Sequence, residues 1–94
     1  MGGDRMARVT FTDRLRHVAP TRTVEVGGSS LLALIDTIGK DYPRLAPYVL
    51  DEHRRIRKHV AVFVDGALMR GQAALDLVLR PDADVYVMQA LSGG

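Results

Sequence analysis

Thr23-Val-Glu-Val-Gly-Gly-Ser-Ser-Leu-Leu-Ala-Leu-Ile-Asp-Thr-Ile-Gly39 changes its period half-way along. Thr23 to Val26 alternates polar and apolar, the period-two pattern of a half-buried strand. Gly27-Gly28 ends that run, and Ser29 and Ser30 supply hydroxyls able to accept from an orphan N–H at a helix start. Leu31, Leu34, Ile35 and Ile38 then recur at i, i+3, i+4 and i+7, one face of an α-helix. Gly39 weakens the helix, and Pro43 pushes Tyr42 out of helical geometry. A strand therefore runs straight into a helix of about ten residues with a single apolar face.

Upstream, Arg8 to Thr12 alternates with Val9 and Phe11 apolar, so the first two strands form an antiparallel hairpin across a polar stretch that contains Pro20. Downstream, Leu45, Tyr48 and Val49 predict a further short helical turn around Pro47. In His59-Val-Ala-Val-Phe-Val-Asp-Gly66, Val60, Val62 and Val64 share one face and Ala61 and Phe63 the other. Asp65-Gly66 signals a tight turn. Leu75, Leu77 and Leu79 alternate as a short strand, Arg80 to Asp84 makes a turn, and Val85 to Leu91 is the last strand. The order is strand, strand, helix, strand, short strand, strand. That order predicts an α+β fold: a mixed sheet of about five strands with one main helix on one face, the β-grasp plan. Val9, Phe11, Val24, Val26, Val60, Val62, Val64, Val85 and Val87 would face the helix. Residues 1–6 read as a flexible leader, 7–91 as the domain and 92–94 as a tail.

Ninety-four residues make one small domain, with one site or one interface. The absence of Cys excludes a disulfide framework, a thiolate zinc site and a cysteine nucleophile. No apolar run reaches membrane-spanning length, and Met1 to Met6 lacks the apolar core of a signal peptide, so a cytoplasmic location is expected. Thirteen Lys and Arg against eleven Asp and Glu give a net charge of +2. Cations concentrate only in His53-Arg-Arg-Ile-Arg-Lys-His59, which reads as a solvated loop that can still assist docking to an acidic partner. Few aromatics interleave with the basic residues, which argues against nucleic-acid binding. His17, His53 and His59 lie far apart without metal-ligand spacing, so no metal site is expected. Gly27-Gly28 lacks the following Gly-Lys of a phosphate loop, and no catalytic triad or paired carboxylates stand out. No catalysis by the chain itself is therefore expected.

The last two residues are the most informative for function. By composition a terminal Gly-Gly arises in about one chain in two hundred. Here the pair follows directly on the last strand, so it leaves the domain as a bare arm. Two residues without Cβ atoms can thread a channel that any other side chain would obstruct. The reactive group would be the α-carboxylate of Gly94, which becomes a good acyl donor once an ATP-using partner converts it to an acyl adenylate.

On these features the chain resembles the MoaD/ThiS family of ubiquitin-like sulfur carriers, over Val9 to Gly94. The similarity lies in an ordered set: Val-Thr-Phe at 9–11, the Leu31–Ile38 helix followed by Tyr42-Pro43, Val-Phe-Val-Asp-Gly at 62–66, and Asp82-Ala-Asp-Val85 leading to Ala-Leu-Ser-Gly-Gly at 90–94. The resemblance implies that a MoeB/ThiF-type activating enzyme, which uses ATP, adenylates Gly94. Sulfur transfer would then give a thiocarboxylate, the sulfide donor to a biosynthetic synthase of a cysteine, molybdopterin or related pathway. Gly93 and Ser92 would occupy the channel, and the chain would bind no cofactor itself and be a monomer when alone. The segment between Pro47 and Val60 is similar to that of CysO-type carriers, which implies a metalloprotease that trims the tail as a further partner. The family's Asp-Gly-Asp turn is Asp82-Ala83-Asp84 here, so this turn is expected to differ in shape.

The sheet face away from the helix carries Phe63, Tyr86 and Met88, large and apolar for a solvent face. Two readings stand side by side: a partner surface, or a satellite core covered by the segment after Gly66. Leu68 and Met88 match apolar positions at the family's contact with its activating enzyme, and Leu91 completes the expected interface. Two other classes remain open: a ubiquitin-like modifier conjugated to protein lysines through Gly94, and a plain interaction module with an incidental tail.

Overall fold

The computed structural model describes residues 6–27, 30–69 and 78–89. Five strands form one mixed sheet: β1 (Ala7–Phe11), β2 (Val24–Val26), β3 (Val60–Val64), β4 (Ala67–Met69) and β5 (Asp84–Gln89), in the order β2-β1-β5-β3-β4. A 3-10 turn at Asp13–Leu15 follows β1, and two helices, α1 (Leu31–Gly39) and α2 (Leu45–Val49), lie between β2 and β3. The first and last strands run parallel at the centre, and every other pairing is antiparallel. This is the β-grasp arrangement expected from the order of elements.

Alternation fixes which side of the sheet is dry. Val9 pairs with Val85, Phe11 with Val87, and Val62 with Val87, which places a row of β-branched and aromatic side chains on one face. Residues i and i+2 of a strand share a face, so the intervening residues point the other way. Helix α1 covers the valine row with Leu31, Leu34, Ile35 and Ile38, all buried. Its start is fixed by the Ser30 hydroxyl, which accepts from the Ala33 N–H at 3.1 Å. Helix α2 adds Leu45 and Val49, both fully buried, to the same core. No polar or charged residue is buried among those described, so the core holds together by apolar contact alone.

Three local features go beyond the sequence reading. A strand that the sequence reading did not anticipate runs over Ala67–Met69. Asp65 and Gly66 both take left-handed backbone angles, φ 49° and 86°, so the chain reverses within two residues. Val64 then pairs at once with Ala67, and Val62 with Met69. Of the Leu75–Leu79 segment, Val78 bridges to Ser30 and Leu79 is buried, while Leu75 and Leu77 lie outside the described residues. In the Asp82-Ala83-Asp84 turn the left-handed angle falls on Asp82, φ 66°, and not on Ala83. Aspartate tolerates that region better than alanine does. Ala83 is instead buried, donating to the Arg80 carbonyl at 3.2 Å and accepting the Arg8 N–H at 2.8 Å.

The third is the basic segment, which is mostly exposed, as a solvated loop should be, and is also tied to the body. The Asp51 carboxylate accepts the backbone N–H groups of His53 and Arg55 at 2.8 and 2.9 Å, and Leu50 pairs with Ile56. Arg54, at φ 63°, reaches both carboxylate oxygens of Asp36 on α1 at 2.8–2.9 Å. Its neighbour Arg57 donates to the carbonyls of Pro47 and Leu50, both at 3.0 Å.

Candidate functional site: the exposed sheet face and the root of the tail

The parity that buries the valines turns Phe63, Tyr86 and Met88 to the opposite side of the sheet. Register then gathers them: Phe63 lies directly across from Tyr86 on β5 and from Leu68 on β4, and Met88 lies across from Ala61. Tyr86 and Leu68 are exposed, at 48% and 43%, while Phe63 and Met88 are half-buried. A shallow depression of about 570 Å³ opens between them, lined by Phe63, Asp65, Gly66, Arg80, Asp84, Tyr86 and Met88. Four of the five interface residues expected from the sequence thus come together on one surface. Leu91 lies outside the described residues, as do Ser92, Gly93 and Gly94.

One end of this apolar depression is closed by a chain of charges. Arg80 donates to the Asp65 carboxylate at 3.0 and 3.3 Å, and the same carboxylate accepts the Asp84 backbone N–H at 3.0 Å. The Asp84 side chain in turn receives both ends of the Arg8 guanidinium at 2.9 and 3.1 Å. These groups hold one another in fixed positions, so the apolar floor has a pre-arranged polar border. Sequence reasoning missed this border. The only available sign was the set of aspartates bracketing two turns, and pairing between turns 19 residues apart appears only once the sheet is folded.

The Asp84 N–H, and secondly the Arg80 guanidinium, hold the Asp65 carboxyl below the usual carboxylate range. The Arg55 and His53 N–H groups do the same for Asp51. A depressed folded-state pKa contributes stability that is present above the unfolded value, about 3.9, and is lost as pH falls through the folded value. Denaturant midpoints are therefore expected to fall below about pH 4. The Asp65→Asn variant should show a smaller fall over that window, and an undiminished fall would remove Asp65 as its source.

Strand β5 carries this face and also leads to the tail. It is the central strand, held between β1 and β3, and ends at Gln89, five residues before Gly94. At that end Tyr48 of α2 donates its hydroxyl to the Gln89 side chain at 3.4 Å. Its ring meets His17 and His59 edge-on, with centroids 5.4 and 4.8 Å apart. The two histidines, distant in sequence and expected to be separate, are thus brought to one place. Among the described residues no three side chains of metal-ligating type gather as a metal site would require. Nor is any helix among them long and apolar enough to cross a membrane.

The profile of the ThiS family matches residues 9–94, all of the sheet but the first two residues of β1, together with the Gly-Gly that follows it. The chain belongs to the ThiS family. Among solved structures, small archaeal modifier protein 1 (SAMP1) of Methanosarcina acetivorans superposes with a TM-score of 0.76 at 19% identity, over 99% of this chain and 100% of that one. SAMP1 of Haloferax volcanii gives 0.74 at 21%, over 94% and 98%. Urm1 of Trypanosoma brucei gives 0.68 at 17%, over the full length of both chains. These likenesses show the β-grasp, ubiquitin-like fold of this ThiS-family chain. No curated sequence is similar enough to be counted as its relative.

Proposed function

We propose that this ThiS-family protein is a sulfur carrier whose reacting group is the α-carboxylate of Gly94. The observation that carries the reading is the family match reaching Gly93-Gly94 beyond a central strand whose outer face is apolar. The carboxylate oxygen attacks the α-phosphorus of ATP on an activating enzyme, and pyrophosphate leaves. Hydrosulfide then attacks the acyl carbon, and AMP leaves with the bonding pair. The product is a thiocarboxylate, in which sulfur replaces one oxygen. A synthase draws on it as a sulfide donor, and the carboxylate is regenerated for another round. The protein's own part is presentation: the sheet docks, and the tail delivers a carboxylate with no Cβ beside it. Mixing the protein with a MoeB/ThiF-type enzyme and ATP should give ATP–pyrophosphate exchange that depends on the carrier. Absence of exchange would overturn the reading.

The sheet face supplies the docking. Met88→Arg and Phe63→Asp each place a charge that stays solvated in the free protein and is desolvated in the complex. Each is expected to weaken binding to the activating enzyme by about 2–5 kcal/mol without loss of the fold. Calorimetric titration and circular dichroism on the two variants check this. If they unfold, the face is satellite core.

A second reading, conjugation to protein lysines, shares the same adenylate and differs only in the nucleophile. It stands because two of the structural neighbours are named modifier proteins. Laddered adducts of the chain on denaturing gels of cell extract would favour it.

A further inference from the structure

The net charge of the protein is gathered at the root of its tail. One cavity of about 510 Å³ is lined by Asp13, Arg14, Arg16, His17 and Gln89. A second, of about 480 Å³, is lined by Asp51, Arg55, Ile56, Arg57, Lys58 and His59. Tyr48 joins them, since its ring touches both histidines and its hydroxyl bonds to Gln89, the last residue of β5. Together the two cavities hold five Arg and Lys against two Asp. The rest of the sequence carries eight against nine, so the excess positive charge of the chain lies on this rim.

Much of that charge is uncompensated. Arg57 bonds to two carbonyls, which satisfy its donors without neutralising it. Arg14 and Lys58 form no ion pair with any described residue. Arg16 and Arg55 pair with Asp13 and Asp51 only at the exposed surface, at 3.2 and 4.0 Å, where ion pairs contribute little.

We propose that this rim is an electrostatic docking collar for an acidic protein surface surrounding the mouth of the channel that receives the tail. The inference rests on the carrier reading. It adds a second contact, distinct from the apolar sheet face, that orients the tail before it enters. A protein partner fits better than a nucleic acid. The rim's one aromatic ring is already met by a histidine from each cavity, which leaves no open platform for bases. Asp13 and Asp51 would repel a phosphate backbone, whereas a mixed protein surface can match them with cations. Long-range attraction of this kind acts on encounter more than on the chemistry that follows.

The test is carrier-dependent ATP–pyrophosphate exchange as a function of salt, with wild type, Arg14→Gln/Lys58→Gln and, as a control for total charge, Arg22→Gln/Lys40→Gln. The first variant should raise KM for the carrier about tenfold at low salt with the maximal rate unchanged, and the gap should close to under about twofold near 0.5 M salt. Arg14→Glu/Lys58→Glu should raise it about a further tenfold, and the control should leave it unmoved. Equal effects in the control, or a KM shift indifferent to salt, would overturn the collar. Exchange with unmoved KM removes the collar alone, whereas no exchange with wild type removes the carrier reading and the collar together. Binding of a single-stranded RNA that the variant loses while KM stays put would give the rim to nucleic acid and likewise overturn the proposal.

Discussion

Appending one residue after Gly94, or deleting Gly94, is expected to abolish ATP–pyrophosphate exchange while leaving the β-grasp domain folded. The extension moves the carboxylate about 3.5 Å further along the tail and adds a Cβ within the channel. The deletion withdraws it by the same distance. In-line attack on a phosphorus tolerates misplacement of only about 1 Å, so either change should cost more than a hundredfold in rate. Neither touches the apolar face of β5 or the core, so binding through the sheet should persist. Gly94→Ala keeps the carboxylate in register and alters only the width of the chain, and should fall between. Full exchange with the extended protein, its terminal residue verified intact by mass, would show that chemistry does not occur at Gly94.

A comparably large effect is expected in the core. Ile35 is 3% exposed in the middle of α1, the longer of the two helices that join the core. Ile35→Ala removes three carbons from that contact and leaves a void that the β-sheet, pinned by its ladder bonds, cannot easily collapse to fill. The expected loss is about 2–4 kcal/mol, a large share of the roughly 5 kcal/mol that a domain of this size holds. Urea denaturation monitored by far-ultraviolet circular dichroism measures it. A loss under about 1 kcal/mol would mean that the helix buries a different face.

The strands and the helix were legible because their signals are local. Val9 and Phe11, Val60 to Val64, and Val85 and Val87 alternate within a few residues, and Leu31 to Ile38 repeats at helical spacing beside a serine cap. Each segment states its own buried face. The Asp65-Gly66 turn was legible too, although its consequence was not drawn: a two-residue reversal sets the next strand, Ala67–Met69, immediately. Ala83 stays out of the left-handed region, as a residue with a Cβ should, but that Asp82 takes that angle next door was not legible. The Arg8–Asp84–Asp65–Arg80 border and the His17–Tyr48–His59 contact were out of reach. They join residues from separate turns and loops whose proximity depends on the sheet order β2-β1-β5-β3-β4, and no periodicity encodes that order. The apolar face of Phe63, Tyr86, Met88 and Leu68 lay between these cases. Parity showed which side they take, and register showed that they meet.

The proposed carriage of sulfur on Gly94 is tested most directly by intact mass spectrometry. The protein should be incubated with ATP, a sulfur donor and a MoeB/ThiF-type enzyme, then weighed whole and after cleavage ahead of the tail. A gain of about 16 Da, sulfur for oxygen, is expected, confined to the fragment that ends in Gly94 and absent when ATP is omitted. An unchanged mass alongside robust pyrophosphate exchange, or a gain located anywhere but that fragment, would contradict it.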